Sequence, residues 1–364
     1  MKIGVPKEIK NHEYRVGLTP ESVAEILKNN HEVFIQKDAG SEIGFSNEAY
    51  ESAGATIIDS AKELYELSEL IVKVKEPIPE EFQYLNSNHT VFAYLHLAGD
   101  PKTGLELAST GITGIALETV TADNGTMPLL SPMSAIAGQL SIVVGSYHLL
   151  KPNKGMGTLI GAFQDVEPRV VTVIGAGVAG TEAIEKAIDN KAHLKIIDLS
   201  DKRLNELEAI YGNKNIEYIL STETAIESAL MESDLVIGAV YVIGKQAPKV
   251  VKNSMLKQMK PGAVMVDISI DQGGCFESSK PTTHANPTYD QDGIIHYCVT
   301  NMPGAVPLTA TQALNKATLP YILELANRGI DIALAENEHL ANGLNIKNSE
   351  VVHEAVKEAL SIAS

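Results

Sequence analysis

Gly175, Gly177 and Gly180 stand in Gly-x-Gly-x-x-Gly order directly after the β-branched run Val170–Ile174. This spacing suits a pyrophosphate. The first glycine turns tightly, the second lets backbone approach the phosphates, and the third lets helix and strand pack closely. The helix that follows is expected over about Thr181–Asn190, with its N-terminal amides and positive dipole end at the phosphates. Leu194–Ile197 reads as the next strand. Asp198 closes it, near the ~20 positions expected of an acid that binds a ribose hydroxyl. A bare glycine match occurs in many ordinary turns, but here strand, helix, second strand and terminal acid agree. Asp198 suits the free 2′-hydroxyl of NAD and repels the 2′-phosphate of NADP. Lys202 and Arg203 lie just beyond, where they either soften that preference or form an exposed helix turn.

A dinucleotide site needs a substrate site. Lys73 and Lys75 follow an apolar run, at the strand carboxyl end where open α/β sheets bind ligands. A lysine there can neutralise a carboxylate or polarise a carbonyl; the plainer reading is a solvated loop charge. His96 follows Val91–Leu95, and an imidazole titrates near neutrality, as an acid–base group must. A lone histidine after a strand is more often a hydrogen-bonded structural group. Arg15 lies between the first strand and first helix, where its fork can take a carboxylate or form a surface ion pair. Asp271 precedes Gly273-Gly274 and is expected to face a cleft, while Asp267 reads as buried and hydrogen-bonded. The amide of Asn301, at another strand end, can hold substrate or nicotinamide.

The elements that would position these groups alternate. Candidate strands are Lys2–Val5, His31–Gln36, Thr56–Ile58, Leu70–Val74, Thr90–Leu95 and Ile112–Ala116, then Leu235–Ala239, Ala263–Ile268 and Ile294–Thr300. Thr19-Pro20 opens a helix that runs to Asn29-Asn30. A long helical pattern runs from Ser131 to near Leu150, and Lys151–Gly157 reads as a linker. From Ala310 onward helices are expected to dominate to the end. The fold expected is α/β: two doubly wound Rossmann-like domains flanking a cleft and joined by long helices. Residues 1–130 and 307–364 form a discontinuous substrate domain, and residues 131–306 form the NAD-binding domain.

The chain of 364 residues carries a formal net charge of −17, which disfavours nucleic acid and anionic membrane surfaces as partners. Its two cysteines, Cys275 and Cys298, make neither a disulfide framework nor a metal spacing, which points to a reducing cytoplasm and no metal. The N-terminus lacks the apolar run of a signal peptide. The most apolar long stretch, Ser134–Leu150, is too short and too polar to span a bilayer.

Taken together, these segments resemble alanine dehydrogenase nearly from end to end. The blocks that carry the resemblance are Tyr14–Pro20, Val72–Pro77, Tyr94–Ala98, Leu130–Ser134, the glycine fingerprint, Asp267–Gly274 and Asn301–Pro307. The resemblance implies reversible oxidative deamination of L-alanine to pyruvate and ammonia with NAD, in a homohexamer. It implies that Arg15 and Lys75 hold the substrate, that His96 is the acid–base group, and that Asp271 assists. It places the cofactor on Ser134, the glycine turn with Val178 and Ala179, Asp198, Arg203, Ser221, Val240, Tyr241, Ile268, Ser269, Ile270, Asp271, Lys280, Val299, Thr300, Asn301 and Met302. The sequence departs from the family's usual wording at Gln139, Lys280, Leu308, Gly161–Pro168 and Tyr241–Gly244. Three other readings fit the fingerprint: the NAD-binding component of transhydrogenase, another amino-acid or opine-type dehydrogenase, and a non-catalytic NAD-binding paralogue. Only a dehydrogenase gives Arg15, Lys75 and His96 a role.

Overall fold

A computed structural model of the chain describes every residue except Ala98, residues 243–245 and Ser364. The blocks Tyr94–Ala98 and Tyr241–Gly244 therefore end outside the described residues, as does the last residue of the tail. The backbone divides into two compact units, Met1–Met133 with Gly304–Ser364, and Ser134–Pro303.

The first unit opens with strands β1 (Lys2–Val5), β2 (Glu32–Gln36), β3 (Thr56–Ile58), β4 (Leu70–Val72), β5 (Thr90–Ala93) and β6 (Thr113–Ala116). They lie in the order β3-β2-β1-β4-β5-β6 and pair in parallel throughout. This is a doubly wound order that reverses between β1 and β4. Strands β4 and β5 are buried at every residue, as a sheet covered on both faces requires. The Thr19-Pro20 signal works as expected. The Thr19 hydroxyl accepts from Ser22 N at 3.2 Å and the helix Pro20–Lys28 follows.

The second unit holds β7 (Val170–Ile174), β8 (His193–Asp198), β9 (Ile216–Leu220), β10 (Leu235–Gly238), β11 (Val264–Asp267), β12 (Thr288–Gln291) and β13 (Ile294–Tyr297). Strands β9-β8-β7-β10-β11-β13 are parallel, the same doubly wound order again, and β12 adds an antiparallel edge. Several strands stop one to three residues short of the sequence reading, because the chain turns away at their carboxyl ends. The reading also missed β9 and β12, whose residues are only partly buried.

One expectation needs correction. The helix after the glycines begins at Val178, a turn earlier than expected, with Gly177 as its N-cap. Gly180 therefore lies in its first turn, where a Cβ would stand 1.8 Å from the Gly175 carbonyl oxygen. Helices dominate the tail as expected, but two short strands that the sequence did not signal lie among them. Strands β14 (Leu344–Lys347) and β15 (Glu350–Val351) extend the first sheet beyond β6 in antiparallel sense. The signal was masked by Asn345, which is 1 % exposed. It is tolerated inside because its amide donates to Thr119 Oγ1 at 2.7 Å and to the Gly343 carbonyl at 2.9 Å.

Two long helices position the strand ends. The helix Ser131–His148 comes close to the glycine turn, since a Cβ on Gly138 would lie 2.1 Å from the Ala179 carbonyl. There Gln139 donates to Glu182 at 2.8 Å. The helix Pro307–Arg328 accepts two backbone amides that flank Arg15 in the first unit. Val16 N donates to Thr311 Oγ1 at 3.3 Å and Thr19 N to Asn315 Oδ1 at 2.8 Å. Leu308, by contrast, is exposed. No helix among the described residues is long and apolar enough to cross a membrane.

Candidate active site and dinucleotide seat

In the first unit, the segments that leave β1 and β4 part at the point where the strand order reverses, which is where such sheets bind ligands. Arg15 lies on the segment after β1. It is 2 % exposed and forms a forked pair with Glu13, Nε to Oε1 at 2.7 Å and Nη2 to Oε2 at 2.6 Å. Its Nη1 lies 3.3 Å from the Met133 sulfur. The pair is thus buried rather than the surface ion pair that was the plainer expectation.

The two lysines after β4, which the sequence treats alike, separate completely. Lys73 is buried and lies 3.0 Å from both Glu8 and Glu81. Those carboxylates hold its ammonium protonated far up the pH scale, against the cost of burial. Lys73 is a structural cation, not a solvated loop charge. Glu8 also accepts Val74 N at 2.7 Å and Lys75 N at 3.2 Å, so one carboxylate fixes the whole turn. Lys75 is half-buried, and its Nζ meets no acceptor among the described residues. Lys10 on the β1 segment pairs with Glu76 beside it.

His96 follows β5, the next strand over. Its backbone is left-handed, φ 47°, a conformation that non-glycine residues adopt at a cost. Its ring stacks on Tyr94, centroids 5.8 Å apart and planes at 15°. Burial, with 32 % of the side chain still exposed, and the positive charges of Lys75, Lys10 and Arg15 push its pKa well below the usual histidine value. The imidazole is therefore neutral near pH 7 and able to take a proton. The fold thus brings the charges of Arg15 and Lys75 to bear on His96. Sequence reasoning missed the acids behind them: Glu8, Glu13 and Glu118. None carried a motif, because each acts on a partner brought to it by the fold or by a local turn.

In the second unit, the corresponding reversal lies between β7 and β10. Gly175 turns there with φ 94°, and a Cβ would stand 2.5 Å from the Ala239 carbonyl. Gly177 differs, because a Cβ there would meet nothing within 4 Å. That open space beside the helix N-terminus is what a pyrophosphate needs. Asp198 accepts from Ala176 N and from Ser200 N, each at 2.8 Å, which fixes the acid at the end of β8. Ser221 N donates to the Asp198 carbonyl at 2.9 Å. Lys202 is largely exposed, whereas Arg203 turns back over the glycine turn. Arg203 Nε donates to the Ala176 carbonyl at 3.0 Å and Nη2 to Thr181 Oγ1 at 2.9 Å. Ser134 is half-buried on the long helix.

Val240 and Tyr241 follow β10, Ile268–Asp271 follow β11, and Val299–Met302 follow β13. The side chains of Ser269, Ile270, Val299 and Met302 are buried, so these positions offer a cofactor mainly backbone. Ser269 already gives its hydroxyl to the Val240 carbonyl at 2.7 Å. Ile268 and Thr300 are half-buried, and Tyr241 and Asp271 are exposed. Asn301 is left-handed, φ 68°, and its carbonyl accepts from His284 Nε2 at 3.0 Å. Lys280 lies over the Tyr289 ring, 5.6 Å from its centroid. Asp267 is fully buried and accepts from Ser269 N at 2.9 Å, Cys275 N at 2.8 Å and the Ser279 hydroxyl. It organises the loop that carries Asp271. Burial pushes the Cys275 thiol well up, so it is no thiolate nucleophile.

The family model described as alanine dehydrogenase/PNT, N-terminal domain, matches residues 4–137, and its C-terminal counterpart matches residues 141–354. An alanine dehydrogenase of Halomonas elongata is 48 % identical, covering 100 % of this chain and 97 % of its own length. One of Bacillus subtilis is 47 % identical, covering 99 % and 95 %. A solved L-alanine dehydrogenase superposes with a TM-score of 0.94 at 46 % identity over 100 % of both chains. A transhydrogenase from Sinorhizobium meliloti shares the fold, with a TM-score of 0.81 at 22 % identity, covering 98 % of this chain and 100 % of that one.

Proposed function

As the chain belongs to the alanine dehydrogenase/PNT family, we propose that it catalyses the reversible oxidative deamination of L-alanine to pyruvate and ammonia with NAD. It is an NAD-dependent oxidoreductase. The observation that carries this reading is Lys75. Its ammonium has no acid partner among the described residues, unlike that of Lys73, and its charge, with that of Arg15, acts on His96. A protein that only bound a dinucleotide would have no use for such a set.

The cofactor rests on Gly175–Gly180, where the open side of Gly177 fits a pyrophosphate, and on Asp198, which suits an unphosphorylated ribose. Bound there, NAD supplies the hydride acceptor. Around it we assign Ser134, Arg203, Ser221, Lys280 and the strand-end segments Val240-Tyr241, Ile268–Asp271 and Val299–Met302. Arg15 holds the substrate carboxylate, and Lys75 faces the oxygen that forms at C2. Once the Cα–H bond has broken, water adds to the imine carbon and His96 takes the proton released. Lys75 offsets charge on the carbinolamine oxygen. His96 returns its proton to the nitrogen, and the C–N bond then breaks as the carbinolamine hydroxyl gives its own proton to His96 and becomes the carbonyl of pyruvate. Asp271 assists and Asn301 holds substrate or nicotinamide.

The test mixes purified protein with pyruvate, ammonium and NADH and follows loss of NADH absorbance, with NADPH and larger 2-oxo acids as controls. Pyruvate-dependent oxidation is expected, and its absence refutes the activity. Lys75→Ala and His96→Ala are each expected to lower kcat/KM by at least about 100-fold. Undiminished turnover in either variant would refute that residue's role. We place the enzyme in the cytoplasm, a reading supported by its two buried, unpaired cysteines. We also propose a homohexamer, to be checked by light scattering.

A further inference from the structure

The residue behind His96 has a specific geometry. Glu118 lies in the single helical turn Leu117–Thr119 that directly follows β6. Strands β5 and β6 pair with Ala93 opposite Ala116, so Glu118 reaches across to the end of β5. Its carboxylate accepts Leu95 N at 3.1 and 3.3 Å and His96 N at 2.7 Å. These bonds hold the left-handed backbone that aims the imidazole. The same Oε1 atom lies 4.0 Å from His96 Nδ1.

We propose that Glu118 is the positioning residue of the acid–base histidine: its carboxylate keeps the proton of the neutral ring on Nδ1, leaves Nε2 to the reaction, and balances the imidazolium once His96 is protonated. The inference rests on the reading of His96 as the acid–base group. The distance is longer than a hydrogen bond, but such contacts are often loose in the free enzyme and tighten around substrate.

The charges at the site make the need for such an acid plain. Lys10 and Arg15 from the segment after β1 and Lys75 from the turn after β4 all oppose a proton on His96. Tyr94 stacks on the ring but stays neutral, because burial pushes its hydroxyl up. Glu76 is committed to Lys10 through Oε1 and its field reaches Glu118. Glu118 is therefore the carboxylate placed against the ring itself. Burial raises its own pKa, and the backbone amides it accepts pull the other way.

Glu118→Gln separates charge from scaffolding, because its amide oxygen still accepts from Leu95 N and His96 N. The readout is the pH dependence of kcat/KM for alanine oxidation. Losing one negative charge beside the ring is expected to move the histidine limb down by about 1 pH unit. It is also expected to lower kcat about tenfold or more, with little change in KM. Glu118→Asp keeps the charge and should leave the limb near its wild-type position. A profile of Glu118→Gln that overlays the wild type overturns the proposal, since a purely structural acid would give that result. If Glu118→Gln does not fold, nitrogen-15 NMR of histidine in the unaltered enzyme decides. The His96 signal, identified by its loss in His96→Gln, should show an Nδ1-protonated neutral ring, and an Nε2-protonated ring overturns the proposal. Should His96→Gln keep full activity, the assignment of His96 as acid–base group fails instead.

Discussion

Gly177 and Gly180 sit three residues apart in one turn, yet the structure predicts opposite consequences for replacing them with alanine. At Gly177 a Cβ meets nothing within 4 Å, and the backbone, φ −72° and ψ −158°, is one that alanine adopts freely. Two small terms then oppose each other. Alanine stabilises by about 0.4–1 kcal/mol through the unfolded chain. It is a poorer N-cap than glycine, which costs on the order of 0.5 kcal/mol. Gly177→Ala should therefore unfold within about 0.5 kcal/mol of wild type. Gly180→Ala would put its Cβ 1.8 Å from the Gly175 carbonyl oxygen and 2.8 Å from its carbon, where only backbone can move. Overpacking of that kind costs about 1–3 kcal/mol. Cofactor binding should not follow stability. The new methyl at Gly177 occupies the side we assign to the pyrophosphate, so NADH affinity should fall at least about tenfold, roughly 1.4 kcal/mol. Urea unfolding gives the stabilities, and quenching of NADH fluorescence gives the affinities. Wild-type NADH binding by Gly177→Ala would refute the glycine turn as the pyrophosphate seat. Equal destabilisation of both variants would refute the open geometry at Gly177.

The two lysines after β4 should divide in the same way. Lys73→Met leaves Glu8 and Glu81 buried without their cation and should cost about 3–5 kcal/mol in urea unfolding. Lys75→Ala should lose activity with stability within about 0.5 kcal/mol of wild type; the reverse pattern would exchange their roles. Arg203→Ala removes the bonds to the Ala176 carbonyl and Thr181 Oγ1. It should raise the KM for NADH more than it lowers kcat, and an unchanged KM would exclude Arg203 from shaping the seat. Burial lowers the pKa of His89, His148, His296 and His353 from the ordinary 6.5. Below 6.5 the unfolded chain binds protons that the folded chain refuses, so these groups make stability fall as pH drops from 6.5 through their folded values. His296 is fully buried, with Nδ1 on the Ile294 carbonyl and Nε2 on Ser278 Oγ. His296→Asn should therefore lose less stability than wild type between pH 7.5 and 5.5, and an equal loss would refute this account.

The sequence by itself determined the local elements and the glycine turn with its acid. Val170–Ile174, the three glycines and Asp198 lie close together along the chain, and each acts through near neighbours or the strand beside it. Strand alternation, the Thr19-Pro20 helix start and the buried role of Asp267 were legible for the same reason. The tail strands were not, because Asn345 is buried by bonds to Thr119 and Gly343 that only the folded sheet provides. Tertiary structure alone decided which lysine is structural and which is open. Nothing in Lys73-Val74-Lys75 distinguishes the two until β1 and β4 pair and bring Glu8 against Lys73. The pairing of β5 with β6 likewise brings Glu118 to His96. In a doubly wound sheet, neighbouring strands are separated by a crossover or more of chain. The groups that meet at their ends are therefore set by strand order, which no short stretch of sequence encodes.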